Sequence, residues 1–223
     1  MNEEIKLWGS GTARTLRPIW MAEEMDINYE LIPIGPRTGE TQGYEFTEIN
    51  PKQKIPAMQC KELNLSESLT ICRYLQKNYL SENIYIPIDE KDIYKEDEWC
   101  NFIYGELDET CLYVMRRHYD LKDLYGESPV VVDACRKYFI RQLNVVENHL
   151  ESKKTILEQG FGLADIFLMT CLDWAVFYEF SLPKNINQYK SIKHSINKTN
   201  KKTITHSNKK TLKKKIKKTH KNK

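Results

Sequence analysis

The chain is short of several things, and each shortage excludes a class of answer. No apolar run is long enough to cross a bilayer; the most apolar stretch, IFLMTCLDWAVFYEF, is interrupted by Asp173 and Glu179. The first residues, MNEEIKLWGS, are acidic where a secretory leader is basic, and no apolar core follows them. The six cysteines (Cys60, Cys72, Cys100, Cys111, Cys135 and Cys171) contain no CxxC pair and mostly fall inside apolar patterns, as buried thiols of a reducing compartment do. Five scattered histidines offer no metal-ligand spacing. These absences lead us to expect a cytoplasmic protein with no metal and no membrane span.

What is present is a globular composition with an uneven charge. Hydrophobic residues make up 40% of 223, enough for one large core or two small ones. The formal charge of +3 hides an asymmetry: residues 184–223 hold 15 lysines and no acid, leaving residues 1–183 at a net −12. An acidic body therefore carries a basic, low-complexity tail rich in Lys, Asn, Thr and Ile, of a kind that stays disordered alone. The tail has no arginine and one aromatic, Tyr189, so a nucleic-acid partner is not expected. AT-rich codons read out of frame also yield this composition, and we prefer that origin for it.

Periodicity divides the body in two. IKLW and YELIPIG read as strands, with RTLRPIWMAEEM between them as a helix whose apolar face is Leu16, Ile19 and Trp20. Pro18 fits a first helical turn, so Thr15 is the expected N-cap. After a loop with one helical turn, IPAMQC and LNLS read as two short strands. ESLTICRYLQKNY then places Ile71, Cys72, Leu75 and Tyr79 on one helix face. The order over residues 1–80 is β-α-β-α-β-β-α. Beyond a polar linker the strand signal stops and residues 91–183 read as all helix. One stripe there is Trp99, Phe102, Ile103, Leu107, Cys111 and Val114; a second is Val131, Cys135, Tyr138, Phe139 and Val146; and residues 163–180 form an apolar, buried central helix. Gly162 and Asp165 are its expected N-cap and N3, with Phe161 and Ile166 spaced as a hydrophobic staple.

Three motifs carry a resemblance. INPKQKIPAM followed by LSESLTICRYL, WGSGTARTLRPIW, and GFGLADIFL resemble, in that order and spacing, the glutathione-binding half, the first strand-turn-helix and the central-helix cap of the cytosolic glutathione S-transferases. The likeness covers roughly residues 4–190. It implies a thioredoxin-like α/β domain over 1–80, an all-α domain over 91–183 that lacks the family's usual last helices, and the basic tail over 184–223. It also implies glutathione as co-substrate, a small electrophile as second substrate, and a homodimer.

The resemblance assigns roles to residues that have plainer readings of their own. Pro56 alone is an edge-strand proline with a trans bond; the family pattern makes it cis, with the backbone of Ile55 turned outward to pair with an extended tripeptide. Glu67 and Ser68 alone suit a helix start; in the family they would take the ammonium and carboxylate of the γ-glutamyl end. Lys54 matches a glutathione contact of some classes, and Thr41 and Gln42 lie where others touch the glycyl end. A free thiol is mostly protonated at neutral pH, so a hydroxyl at the end of the first strand is needed to favour the thiolate. Counting back from Arg17 as in the serine classes selects Thr12, a threonine where those classes carry serine; Ser10 is the second choice. Tyr104, Leu107, Asp108, Cys111 and Arg116 lie by position where the helical domain would face the electrophile, although most large residues on such a stripe are core. The alternative is a non-catalytic module using the same fold to bind a ligand; a maleyl-compound isomerase of the related class fits less well, because GTARTLR lacks its serine-cysteine run.

Overall fold

Strand β1 (Ile5–Trp8) is buried on both of its faces, and the rest of the sheet is arranged around it. It pairs in parallel with β2 (Tyr29–Ile32) and antiparallel with β3 (Ala57–Cys60), which pairs antiparallel with β4 (Leu63–Ser66), giving the order β2-β1-β3-β4. The structure, a computed structural model, describes residues 4–191. Residues to Ser181 form one unit; in the other, residues 184–191 are helical and Ser191 Oγ donates to the Asn187 carbonyl at 2.8 Å. The expectation of disorder for the lysine-rich stretch from residue 192 onward lies outside the described residues.

Between the strands run α1 (Ala13–Glu24), α2 (Tyr44–Ile49) and α3 (Ser68–Asn78), so the observed order is the expected β-α-β-α-β-β-α. Trp8, on the β1 face opposite Leu7, packs with Phe46 of α2 and Ala57, with Ile32, Ile34, Ile49 and Ile55 at the margin of that cluster. Ile71, Cys72 and Leu75 of α3 are fully buried, as read from their spacing. Pro56 lies one residue outside β3 rather than in it, so its missing N–H costs the ladder nothing.

Two expectations for α1 are corrected. Its N-cap is Thr12, not Thr15: Thr12 Oγ1 accepts from Thr15 N at 3.0 Å, while Thr15 Oγ1 accepts from Thr12 N at 3.1 Å. Pro18 is consequently inside the helix, past its first turn. The buried face is also rotated from the one read off apolar spacing. Leu16 is 39% exposed, whereas Arg17 has no exposed surface. A guanidinium displaces a leucine from the core because a matching carboxylate, Asp108, is buried opposite it.

The helical part begins with α4 (Glu90–Phe102), capped by the Asp89 carboxylate, which accepts from Lys91 N and Asp92 N. Over Ile103–Tyr113 the hydrogen bonding widens to the π pattern before α5 (Val114–His118) resumes the α form. The buried stripe is Glu96, Cys100, Ile103, Leu107, Cys111 and Met115, so Trp99, Phe102 and Val114 of the expected stripe sit at its edge. Short α6 (Lys122–Tyr125) leads to α7 (Pro129–His149), whose buried stripe of Cys135, Phe139, Leu143 and Val146 drops Val131 and Tyr138 from the one expected, and to α8 (Leu163–Phe177). Every residue of α8 from Leu163 to Leu172 is buried. Its entry is held as expected: the Asp165 carboxylate accepts from Gly162 N at 2.8 Å and from Ile156 N at 3.0 Å.

A buried ionic cluster at α1 locks the sheet to the helices, beside a second one in which Glu96 of α4 accepts from Arg73 and Gln76 of α3. Arg17 donates to Asp108 Oδ2 at 2.6 Å and to Thr170 Oγ1 of α8 at 2.9 Å, and lies over the Phe167 ring at 4.3 Å. Arg14 donates to Asp108 Oδ1 at 2.6 Å and to Glu109 Oε2 at 2.5 Å. Burial opposes the charge on Arg14, yet the hydrogen bonds and attraction of Asp108 and Glu109 hold its pKa above the ordinary value. Asp108 thus answers two cations with one carboxylate, and removing it strands both. Asp108→Ala is expected to lower the unfolding free energy by about 3–5 kcal/mol, read from urea denaturation. Lys137→Ala, which breaks an exposed pair with Asp133, should move the midpoint little.

Candidate functional site

The turn between β1 and α1 opens onto a cleft of about 860 Å³ whose far wall is made by the π segment, α5 and α8. The turn comes close to the strand opposite: a Cβ on Gly9, at φ +112°, would lie 2.6 Å from Ile55 Cβ. Only glycine permits that approach, which draws Ser10 and Thr12 towards Ile55 and Pro56.

The seven residues to which the resemblance gave glutathione binding or thiol activation all line this cleft: Ser10 and Thr12 from the turn, Lys54, Ile55 and Pro56 from the run into β3, and Glu67 and Ser68 at the start of α3. The Ile55–Pro56 bond is cis. Lys54 is exposed, and its carbonyl accepts from Asn50 Nδ2 at 2.7 Å. Glu67 is the N-cap of α3 but makes no side-chain cap bond, and it sits at φ 71°, in the left-handed region that a β-carbon disfavours. An uncommon backbone held at a cleft wall is the kind of outlier that accompanies function. Its carboxylate accepts from Lys52 Nζ at 2.5 Å, an exposed pair. Ser68 is 3% exposed, with Arg17 NH1 3.5 Å from its hydroxyl. Thr41 and Gln42 reach the same cleft, joined to each other by a 2.8 Å hydrogen bond.

The two hydroxyls of the turn differ in what already occupies them. Ser10 Oγ donates to the Pro33 carbonyl at 3.2 Å. Thr12 Oγ1 spends a lone pair on the Thr15 amide, and its proton points to Thr15 Oγ1 at 3.1 Å, an atom that already accepts from Thr12 N. A hydroxyl proton rotates freely. Thr12 can turn its proton into the cleft without breaking the cap, whereas Ser10 must give up a carbonyl.

The far wall departs from the residues expected to face an electrophile. Tyr104 and Arg116 line it, but Leu107, Asp108 and Cys111 are fully buried and point into the core. The π pattern is the cause. Spacing by a regular α-helix selects 104, 107, 108 and 111, whereas the widened turn brings Tyr104, Glu109, Tyr113 and Arg117 to the same side. Nothing in the residue types announces that widening. Leu16, Ile19, Trp174 and Phe177 complete the apolar lining. Burial raises the pKa of the Tyr104 phenol, with Arg14 pulling the other way, so it stays protonated at neutral pH.

The cleft contains no competing thiol. All six cysteines are free and buried. Burial pushes Cys111 and Cys171 up to about 12, and Cys72, Cys100 and Cys135 are also raised by burial. Among the described residues no group of His, Cys, Asp or Glu is arranged to hold a metal, and no helix is long and apolar enough to cross a membrane.

With this geometry in place, the comparisons are specific. The family profile "Glutathione S-transferase, N-terminal domain" matches residues 3–77, and "Glutathione S-transferase, C-terminal domain" matches residues 110–198. The chain is 28% identical over 141 residues to "Glutathione S-transferase GstA" of Escherichia coli O157:H7, a stretch covering 63% of this chain and 66% of that protein. It is 26% identical over 152 residues to human "Glutathione S-transferase theta-1", covering 67% of this chain and 63% of that one. The matched part therefore spans a little under two thirds of these relatives. Among solved structures, the apo human glutathione-S-transferase T1-1 superposes with a TM-score of 0.73 at 22% identity, over 84% of this chain and 81% of that one. The glutathione transferase URE2P8 from Phanerochaete chrysosporium, solved with oxidized glutathione, gives 0.75 at 18% identity, over 92% and 98%. These likenesses place the first half in the thioredoxin-like fold and the second in the helical domain that accompanies it.

The raised thiol pKa values fix a chemical expectation. At pH 8 a group titrating near 12 is almost wholly protonated, and the protonated thiol is not the nucleophile. A disulfide reagent added to the native protein at pH 8 should therefore leave Cys72, Cys100, Cys111, Cys135 and Cys171 unlabelled in the time that labels them in denaturant.

Proposed function

Because the chain belongs to the glutathione S-transferase family, we propose that this cleft binds glutathione and activates its thiol for attack on a small electrophile. The observation that carries the reading is the convergence on one cleft of a rotatable Thr12 hydroxyl, the cis Ile55–Pro56 segment and an uncapped Glu67 at positive φ. In this assignment the peptide lies extended along Ile55, as an added strand would. Glu67 accepts from its α-ammonium, in place of Lys52. The α-carboxylate sits at the Ser68 hydroxyl and the first turn of α3, where the helix end favours an anion. Lys54 adds positive charge to the peptide's path.

Thr12 then meets the sulfur. The thiol proton passes to water, the thiolate is held by the Thr12 hydroxyl at the N-terminus of α1, and sulfur bonds to the electrophilic carbon as the leaving group departs. The free rotation of the Thr12 proton supports it over Ser10, whose proton is already committed to Pro33. Threonine supplies the same donor as serine, with a methyl that narrows the approach. A cytoplasmic location fits six free cysteines and a thiol co-substrate. A homodimer belongs to the same proposal, carried over from the family.

The direct test is an ultraviolet titration of bound glutathione against pH. A thiolate band appearing well below the free thiol's pKa of about 8.5 supports activation; binding with an unshifted thiol overturns the enzymatic reading and leaves a ligand-binding module. In the transferase, Thr12→Ala should lower kcat/KM by about 10–100-fold, the worth of one hydrogen bond to an anion. Thr12→Ser, which keeps both the cap and the donor, should retain most of the rate. Glu67→Gln should instead raise the KM for glutathione by about tenfold while changing kcat less.

A further inference from the structure

We propose that the far wall of the cleft binds an anionic group, a carboxylate in the first instance, on the second substrate, through Arg117 and Arg116. The proposal rests on the transferase reading above and names the class of electrophile that site would take. Four arginines line the cleft, and they are not equivalent. Arg14 is neutralised by Asp108 and Glu109. Arg37 lies on the opposite side, in the loop after β2. Arg116 and Arg117 are half-buried at the end of the π segment, and neither is ion-paired among the described residues.

Arg117 is the more telling of the two. Its guanidinium carbon lies 4.6 Å from the ring centroid of Tyr113 and 5.6 Å from that of Tyr125. Tyr113 also carries Arg14, at 4.3 Å. Two rings thus fix the plane of the Arg117 fork, yet its Nε is buried without any acceptor. A buried donor left unpaired costs free energy that a bound acceptor would recover. A planar, pre-oriented guanidinium with a free Nε–H suits a carboxylate, which can take two parallel hydrogen bonds. The acids on the same wall do not supply that acceptor. Glu109 pairs with Arg14 and Asp120 accepts from the Tyr178 hydroxyl, and no acid of the wall accepts from Arg117 Nε. Trp174, Phe177 and Leu16 offer apolar surface beside the cations. The second substrate that fits is an aromatic or otherwise apolar electrophile bearing a carboxylate.

The test uses a matched pair: a chloronitrobenzoate with chloride para to the carboxylate and ortho to the nitro group, and the corresponding neutral benzamide. In both, sulfur bonds to the ring carbon, the C–Cl bond breaks, chloride leaves with the bonding pair and the thiol proton goes to water. Each kcat/KM is divided by the uncatalysed rate with glutathione, and the readout is the carboxylate-to-amide ratio. The full-length protein should favour the carboxylate by about tenfold, and Arg117→Gln or Arg116→Gln should remove most of that preference. Arg117→Lys, keeping the charge but not the fork, should fall between. Because a folding defect lowers both rates together, the ratio isolates the anion. A ratio near unity in the wild type, or one unmoved by either variant, overturns the proposal. So does a rise in the glutathione KM that lowers both rates alike, which would give the arginines to the peptide instead. If neither compound is conjugated, the transferase reading fails. Tryptophan-fluorescence titration with the same pair then decides the anion site: tighter carboxylate binding that Arg117→Gln abolishes sustains it, and equal binding overturns it.

Discussion

Arg17 has no exposed surface, and a guanidinium can be kept there only because Asp108 lies 2.6 Å away and Thr170 and the Phe167 ring fill the rest of its surroundings. Arg17 and its partners span three elements: α1, the π segment and α8. The same helix that carries Arg17 starts at Thr12, fewer than two turns earlier, so the ionic cluster sets where the first-turn hydroxyl and the helix end meet the cleft. Breaking such a pair leaves an uncompensated buried charge, which is far costlier than losing any of the exposed pairs on α4 or α7. The sheet-side wall of the cleft, where α1 begins, is thus held in place from the helical side.

The division of labour between the two walls follows from their backbone. The sheet-side wall is built of positions where backbone form matters most: Gly9 at a close approach, the cis bond before Pro56, and Glu67 at positive φ. The helix-side wall is built of side chains on a widened helix and presents rings and guanidinium groups. No cysteine lines either wall, and all six are buried.

Much of this was legible in the sequence, and what was not legible fails for a common reason. The order of elements, the buried α8 and its Asp165 cap were readable because they depend on apolar content and on capping chemistry local to a few residues. The cleft residues on the sheet side were readable because motif spacing there is rigid. The N-cap of α1 was misplaced by three residues because Pro18 was given more weight than the Thr12–Thr15 exchange. The face of α1 was rotated because no apolar scale anticipates a buried arginine whose partner lies 91 residues away. The helix-side wall was misassigned because a period of 3.6 was assumed where the chain runs at a longer one. Long-range pairing and changed helical pitch are both tertiary facts, invisible to a window of a dozen residues.

The widened segment also gives the cleft an unusual mode of variation. In an α-helix each residue advances about 100° around the axis, so the loss or gain of one residue inside 103–113 acts as a rotation of everything after it. Its length is not a neutral quantity of the kind a surface loop has. Such a change, if it fell between Glu109 and α5, would carry Arg116 and Arg117 off the cleft and bring round neighbours such as Met115, while Asp108 and the sheet-side wall stayed in place. One codon in this stretch could thereby exchange a cationic lining for an apolar one without altering a single residue of the sheet-side wall.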